Sequence, residues 1–334
     1  MSKKQTESGE DRLIARYFKP LATHPGAFGL VDDAAAIAPP KGCDIVLKTD
    51  GIVGGVHFFP DDPPETVARK ALRVNLSDLA AKGARPLGFL VTLALPGEIG
   101  DAWLKLFARG LGADAKRYGC PLFGGDTDRT PGPITISIAA FGAVPHGKMV
   151  LRSAAKADER VLVTGTIGDA ALGLLLRKDP GKAGQWGLAP RAERHLAQRY
   201  LLPQPRNAIA DALRTHASAA MDVSDGLVGD LTKLCKASGV SAEIDIARVP
   251  LSPAARKAVE AEPSSIETAL TGGDDYEVLL TMPPRRVAAF RKAASAAGVA
   301  VTEIGTVVRG TAVPRFLDSH GKPLAFARPS FSHF

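Results

Sequence analysis

Asp44-Ile45-Val46-Leu47-Lys48-Thr49-Asp50 is a short, β-branched apolar run that stops at a carboxylate and Gly51. The next regular pattern, Pro64–Gly83, carries Val67, Ala71, Val74, Leu76 and Leu79 at helical spacing. A strand feeding a helix is the reading these two patterns give. The same alternation recurs along the chain. Strands are predicted at Pro133–Val144, Glu159–Thr164 and Tyr276–Thr281, and helices at Ala102–Tyr118, Leu227–Ser238 and Pro284–Gly298. The fold class is therefore mixed α/β. Across Gly142–Ser153 a strand pattern ends in Gly, Pro and basic residues before a fresh strand begins at Glu159, which places a boundary between domains 1–147 and 148–334. Arg177–Arg206 is rich in Arg, Lys, Gly and Pro and weak in period, and reads as a helix-to-helix excursion or a variable loop.

Composition narrows the class further. The 334 residues include 45% hydrophobic side chains, enough for sizeable cores, which excludes a disordered chain. The longest apolar stretches, such as Leu87–Leu95, fall well short of the ~20 residues of a membrane-spanning helix. Met1–Asp11 is polar, without an apolar signal core, so a soluble cytoplasmic protein is expected. Cys43, Cys120 and Cys235 are odd in number and far apart, which supports neither a disulfide framework nor a zinc knuckle. The net charge of +7 is compatible with nucleic acid, a phosphorylated small molecule or a solvated surface.

The acidic residues decide between these. They cluster at what read as strand-to-loop junctions beside glycine or a hydroxyl residue: Asp32-Asp33, Asp50 in Thr49-Asp50-Gly51, Asp78 in Asn75-Leu76-Ser77-Asp78, and Asp126 in Gly124-Gly125-Asp126-Thr127. Asp222 and Asp225 follow in Met221-Asp222-Val223-Ser224-Asp225-Gly226, and Asp274-Asp275 after Gly272-Gly273. Converging carboxylates need cations. Oxygen donors without matching His or Cys suit Mg²⁺, which normally enters a site together with substrate phosphates. Paired glycines let backbone N–H groups approach such phosphates, so phosphoryl transfer or ATP hydrolysis is the sharper reading. Asp-Gly and Gly-Gly-Asp are also ordinary turn chemistry, and each motif alone has that alternative.

The common nucleotide motifs do not account for the set. Gly142–Met149 fits G-x-x-x-x-G-K but has Met149 where a P-loop needs a hydroxyl, and its surroundings look extended. Gly165–Gly173 follows a strand and opens a helix without the G-x-G of a dinucleotide fingerprint; it either cradles an anion or packs the helix on the strand.

Taken in order, the motifs resemble the thiamine-monophosphate kinase family of the aminoimidazole-ribonucleotide-synthetase-like superfamily. The resemblance runs from Leu13–Phe18 to Ser332-His333-Phe334. It rests on Thr49-Asp50-Gly51 through Gly55-Val56-His57-Phe58, on Lys70–Ala84, on Gly124–Thr127, on Met221–Leu227 and on Gly272–Glu277. It implies an N-terminal α/β domain whose strands pair across a homodimer, followed by a C-terminal α/β domain. It also implies transfer of the γ-phosphoryl of ATP to thiamine monophosphate, assisted by several Mg²⁺ ions. Metal ligands would fall on Asp33, Thr49, Asp50, Asp78, Asp126, Asp222 and Asp225. Nucleotide contacts would fall on Gly125, Asp126, Arg152 and Ser224, and substrate contacts on His57, Asp274 and Phe331. Family members commonly carry Gly where Val31 stands and a small hydroxyl residue where Lys48 stands.

Alternatives have weaker support. The reactive N-terminal Cys expected of a selenophosphate synthetase is missing, since the first cysteine is Cys43. An aminoimidazole-ribonucleotide-synthetase-like enzyme is the nearer alternative, against which His57 in its Gly-Gly-Val-His-Phe context argues. A basic nucleic-acid-binding protein should interleave Lys and Arg with aromatics, yet Arg177–Arg206 holds only Trp186 and Tyr200. Neither a nucleic acid nor a membrane is expected as partner. His57, Arg152 and Phe331 each also have a plain structural reading, and Tyr118, at the end of an amphipathic helix, reads as core.

Overall fold

A computed structural model describes residues 12–327 and Ser330. Contacts divide the chain into two compact units, one of the described residues up to Leu76 with Arg85–His146, the other of Ser77–Ala84 with the described residues from Gly147 onward. No helix among the described residues is long and apolar enough to cross a membrane.

The first unit is built on a four-stranded sheet of β1 (Cys43–Val53), β2 (Arg85–Leu95), β3 (Leu122–Arg129) and β4 (Thr135–Pro145), in the order β1-β4-β2-β3. β1 and β2 both run antiparallel to β4, and β2 pairs parallel with β3. Along the strands burial alternates: Val46, Ile52, Phe89, Val91, Leu93, Ile136 and Ile138 are buried, while Leu47, Leu90, Thr92 and Phe141 between them are more open. That period of two is what a sheet with one packed face requires. Helices α1 (Pro64–Ala81) and α2 (Asp101–Tyr118) add buried Leu72, Leu76, Phe107 and Leu111. They are tied by Arg73 and Asp114, whose two hydrogen bonds of 2.5 and 3.0 Å lie in the interior, each side chain 2% exposed. The Arg73 guanidinium also lies 5.8 Å from the centroid of the half-buried Tyr118 ring. Val31 has φ −113°; the left-handed backbone lies just before it, at Phe28, Gly29 and Leu30.

The second unit holds a six-stranded sheet of β5 (Arg160–Thr164), β6 (Ala219–Val223), β7 (Ser241–Asp245), β8 (Glu277–Met282), β9 (Val301–Val308) and β10 (Arg315–Leu317), in the order β10-β7-β9-β5-β8-β6. All pairings are antiparallel except β10 with β7. Every residue of β6 and β8 is buried, because apolar clusters cover both faces. One joins Val161, Met221 and Leu279 to Leu227 and Leu231, and the other joins Leu162, Ala220 and Leu280 to Leu213 and Phe290. Helices α3 (Asp169–Lys178), α4 (Gly181–Gln185), α5 (Pro190–Leu201), α6 (Ala210–His216), α7 (Leu227–Ser238), α8 (Pro253–Ala261), α9 (Ser265–Thr271) and α10 (Val287–Ala296) complete it. The 177–206 segment, predicted as an excursion or variable loop, contains α4 and α5, and Trp186 and Tyr200 from it are buried. Cys120 and Cys235 are buried and their thiols are pushed up to about 12 by burial.

Asp169, fully buried at the start of α3, accepts from Thr166 Oγ1 at 2.6 Å and Ser252 Oγ at 2.5 Å, and meets His195 Nε2 at 3.0 Å. Burial alone would raise its pKa. The hydrogen bonds from His195, Ser252 and Thr166 outweigh burial and hold the carboxyl below the ordinary 3.8. A lowered native pKa stabilises the fold above the unfolded value, and that contribution is lost as pH falls through the native value. The stability gap between the parent and Asp169→Asn should therefore be present at pH 7 and shrink below pH ~4 in urea titrations. Arg73→Met, which strands the Asp114 carboxylate in the interior, should cost about 3–5 kcal/mol by the same measurement.

Candidate active site

In the first unit, Asp50 lies inside β1 and Asp126 inside β3, so these are strand positions and not the strand-to-loop junctions expected from Asp-Gly and Gly-Gly-Asp. β1 is an edge strand, and the Asp50 N–H on it donates to Asn75 Oδ1, from α1, at 2.9 Å. Asn75 is itself held by its Nδ2 on Ala71 O at 3.0 Å. Lys48 shares the Asp50 side of the strand, two residues back, and its Nζ lies 3.1 Å from Asp50 Oδ1. Thr49 points to the opposite, exposed side. Gly125 is dictated by close approach, since a Cβ there would sit 1.9 Å from Val91 O on the neighbouring strand. Asp33, Gly125, Asp126 and Thr127 line one groove of about 700 Å³ with the apolar Leu47 and Phe141. Asp33 and Asp126 are exposed.

His57 sits in the turn after β1. Its Nδ1 accepts the Val53 N–H at 3.0 Å, so the neutral ring carries its proton on Nε2. The ammonium of Lys70, itself buried, donates to the His57 carbonyl at 2.9 Å and fixes the turn from beneath.

In the second unit, Asp78 is half-buried on the last turn of α1. Arg152 is exposed, its carbonyl accepting from Ser238 Oγ at 3.0 Å. Asp222 is buried at the end of β6, and Ser224 and Asp225 form the turn into α7. That turn is held by Asp230 on α7, whose Oδ2 accepts both the Ser224 and the Asp225 N–H at 2.9 Å. Lys233 bridges Asp230, at 2.8 Å, and Asp225. Burial pushes the Asp230 carboxyl above its ordinary value despite the opposing Lys233 ammonium. The Gly272–Tyr276 loop lies against the same turn: Asp274 N donates to Ser224 O at 2.9 Å and Tyr276 N to Val223 O at 2.8 Å. Asp274 and Ser224, assigned to different ligands in the sequence, thus stand on hydrogen-bonded loops.

Residues 31–144 match AIR synthase related protein, N-terminal domain, and residues 156–315 match the C-terminal domain of the same family. The thiamine-monophosphate kinase of Caulobacter vibrioides is 43% identical over 307 residues, 91% of this chain and 85% of that protein. The chain belongs to the thiamine-monophosphate kinase family. The crystal structure of the Stenotrophomonas maltophilia member superposes with a TM-score of 0.82 at 34% identity, covering 94% of this chain and 96% of that one. The AaThiL complex with AMPPCP and TMP superposes at 0.76 with 32% identity, covering 92% and 97%. The mixed α/β architecture expected from the sequence is that of this family.

Against that family, the structure brings together Asp33, Gly125 and Asp126 in one unit, and Asp222, Ser224, Asp225 and Asp274 in the other. Phe331 lies outside the described residues. Among the described residues no three His, Cys, Asp or Glu side chains stand together as a ready metal cage. Exposed, all-oxygen carboxylates still fit Mg²⁺, which is held by one or two carboxylates with substrate phosphates and water completing the shell. Sequence reasoning missed the groups behind the site, namely Asn75, Lys70, Asp230 and Lys233. The available signal for Asp230 was a carboxylate in the first turn of a helix opened by Asp-Gly.

Asp230→Ala leaves the Ser224 and Asp225 N–H groups without their acceptor. Hydrogen exchange should show faster exchange at both amides, and the loss of stability should be about 1–3 kcal/mol.

Proposed function

We propose that this chain transfers the γ-phosphoryl of ATP to thiamine monophosphate, giving thiamine diphosphate and ADP. The observation that carries the reading is the pair of main-chain hydrogen bonds, Asp274 N to Ser224 O and Tyr276 N to Val223 O, that fixes the loop assigned to the acceptor on the loop assigned to the nucleotide. The AaThiL relative that binds AMPPCP and TMP supports both ligand classes.

The attacking group is a phosphate oxygen with a second pKa of ~6, already ionised at neutral pH, so no protein base is needed. What the protein must supply is position and positive charge. Asp33, Thr49, Asp50 and Asp126 of the first unit, and Asp78, Asp222 and Asp225 of the second, would hold Mg²⁺, which when bound neutralises the phosphates. Lys48 adds a fixed cation beside Asp50. Gly125 and Ser224 offer contacts to the nucleotide, and exposed Arg152 a guanidinium for its phosphates. His57, with its proton on Nε2, donates a hydrogen bond to thiamine monophosphate, while the Asp274 carboxylate complements its cationic thiazolium ring. Phe331 would stack on the substrate's rings.

The domain division 1–147 and 148–334, a cytoplasmic location and a homodimer belong to the same proposal. The dimer reading is supported by β1, an eleven-residue edge strand on which Leu47 is 71% exposed.

Purified protein incubated with Mg·ATP and thiamine monophosphate should form ADP and thiamine diphosphate in equal amounts by chromatography. Chelation should abolish both products. Asp50→Asn should lower turnover by roughly a hundredfold or more, the scale for losing one group that stabilises transition-state charge. ADP formed only with a different acceptor would overturn the substrate.

A further inference from the structure

Beside Asp274 lies a second carboxylate, which the proposed chemistry does not use. Asp275 is 1% exposed, and its oxygens accept the Gly168 N–H at 2.7 Å and the Ala170 N–H at 3.4 Å. The glycine-containing turn before α3, whose sequence suggested an anion cradle, is thus filled by the chain's own carboxylate. We propose that Asp275 is a positioning residue, its carboxylate docked on the start of α3 so as to fix the backbone that presents Asp274 to the acceptor; this rests on the assignment of Asp274 above.

The backbone around Asp275 needs such an anchor. Asp274 and Tyr276, its two neighbours, have φ of +73° and +50°, conformations that side chains with a Cβ adopt only when their surroundings impose them. Three holds impose them here. Asp275 itself is pinned by the α3 amides. Its carbonyl accepts from Arg199 Nη2 at 3.2 Å, and Arg199 is in turn bonded to the buried Glu277 at 2.8 Å. On the far side Asp274 N and Tyr276 N are bonded to the 222–226 turn, and Gly273 lies so close to it that a Cβ would come within 2.4 Å of Ser224 O. Release of the Asp275 anchor frees the loop to relax toward ordinary φ values, which redirects the Asp274 side chain. No atom of Asp275 needs to touch a ligand for this. Burial also pushes the Asp275 carboxyl well above its ordinary value.

The test measures KM for thiamine monophosphate and for ATP in Asp275→Ala, Asp275→Asn and Asp274→Asn. Asp275→Ala should raise the acceptor KM roughly tenfold while the ATP KM stays within about twofold. Asp275→Asn, which keeps an acceptor for the Gly168 N–H, should recover the acceptor KM to within about threefold of the parent. If Asp275→Ala does not fold, Arg199→Lys, too short to hold both the Asp275 carbonyl and Glu277, is read by the same split. Equal shifts in both KM values overturn the proposal. So does an unchanged acceptor KM in a protein where Asp274→Asn raises it. An acceptor KM indifferent to Asp274→Asn defeats the assignment of Asp274 itself, and the proposal falls with it.

Discussion

Buried carboxylates that accept backbone and side-chain hydrogen bonds are the constraint on which the second unit depends. Asp169, Asp230, Asp275 and Glu277 are all at most 1% exposed. Moving a carboxylate out of water is costly unless its lone pairs are met by donors. Here each is met, but by different donors, and the balance differs accordingly. Asp169 receives three side-chain partners and ends below its ordinary pKa. Asp275 receives two backbone amides, one of them long, and burial dominates. Glu277 accepts from Arg199, Arg206 and Thr164, two of them guanidinium cations. Asp230 and Asp275, which accept backbone N–H groups, replace the regular ladder bonds that turns lack, and so define loop shape where sheet geometry gives out.

The same accounting explains the charge of the chain. A net +7 suggests a basic exterior, but several of the cations are committed internally. Arg73, Arg199 and Arg206 face buried carboxylates, Lys70 and Lys82 donate to the carbonyls of His57 and Ala220, and Lys233 serves two aspartates. In the 177–206 segment, whose composition is basic, Arg199 and Arg206 converge on one glutamate. A basic composition read without partners overstates what is available to an external polyanion.

Helices with a clean apolar period were legible in the sequence. Leu227–Ser238 matches in both bounds, and Pro64–Ala81 and Asp101–Tyr118 differ by a residue or two. Strands were less so, for physical reasons. Arg85–Leu95 carries no strand signal beyond the apolar stretch Leu87–Leu95, too short to span a membrane, because its near-continuous apolar run has no period to distinguish it. Gly124-Gly125-Asp126 has turn composition but lies in β3, where Gly125 is required by the approach of Val91 and not by a bend. The candidate site aspartates stand out in the sequence because glycine and hydroxyl neighbours mark them. Asn75, Asp230 and Asp275 act on backbone amides far away in sequence or around a turn, and only the folded chain reveals which amide each one meets.

A reaction between two anions that needs no proton transfer places its demand on separation and alignment. A loop free to move by an ångström would sample geometries in which the phosphates repel without reacting. Exposed carboxylates at the surface of a strand, such as Asp126, can adjust to their ligand. The loop assigned to the acceptor cannot be left to do so, because nothing in the chemistry corrects a misplaced acceptor. That difference accounts for where rigidity is invested: Asp33 and Asp126, assigned to metal in the first unit, are exposed, whereas in the second unit the turn carrying Ser224 and Asp225 and the loop carrying Asp274 are bonded to each other and backed by the buried carboxylates of Asp230 and Asp275. Precision in this chain is thus held by residues one layer behind the ligands, in main-chain hydrogen bonds that a change of side chain at the ligand-facing positions would leave intact.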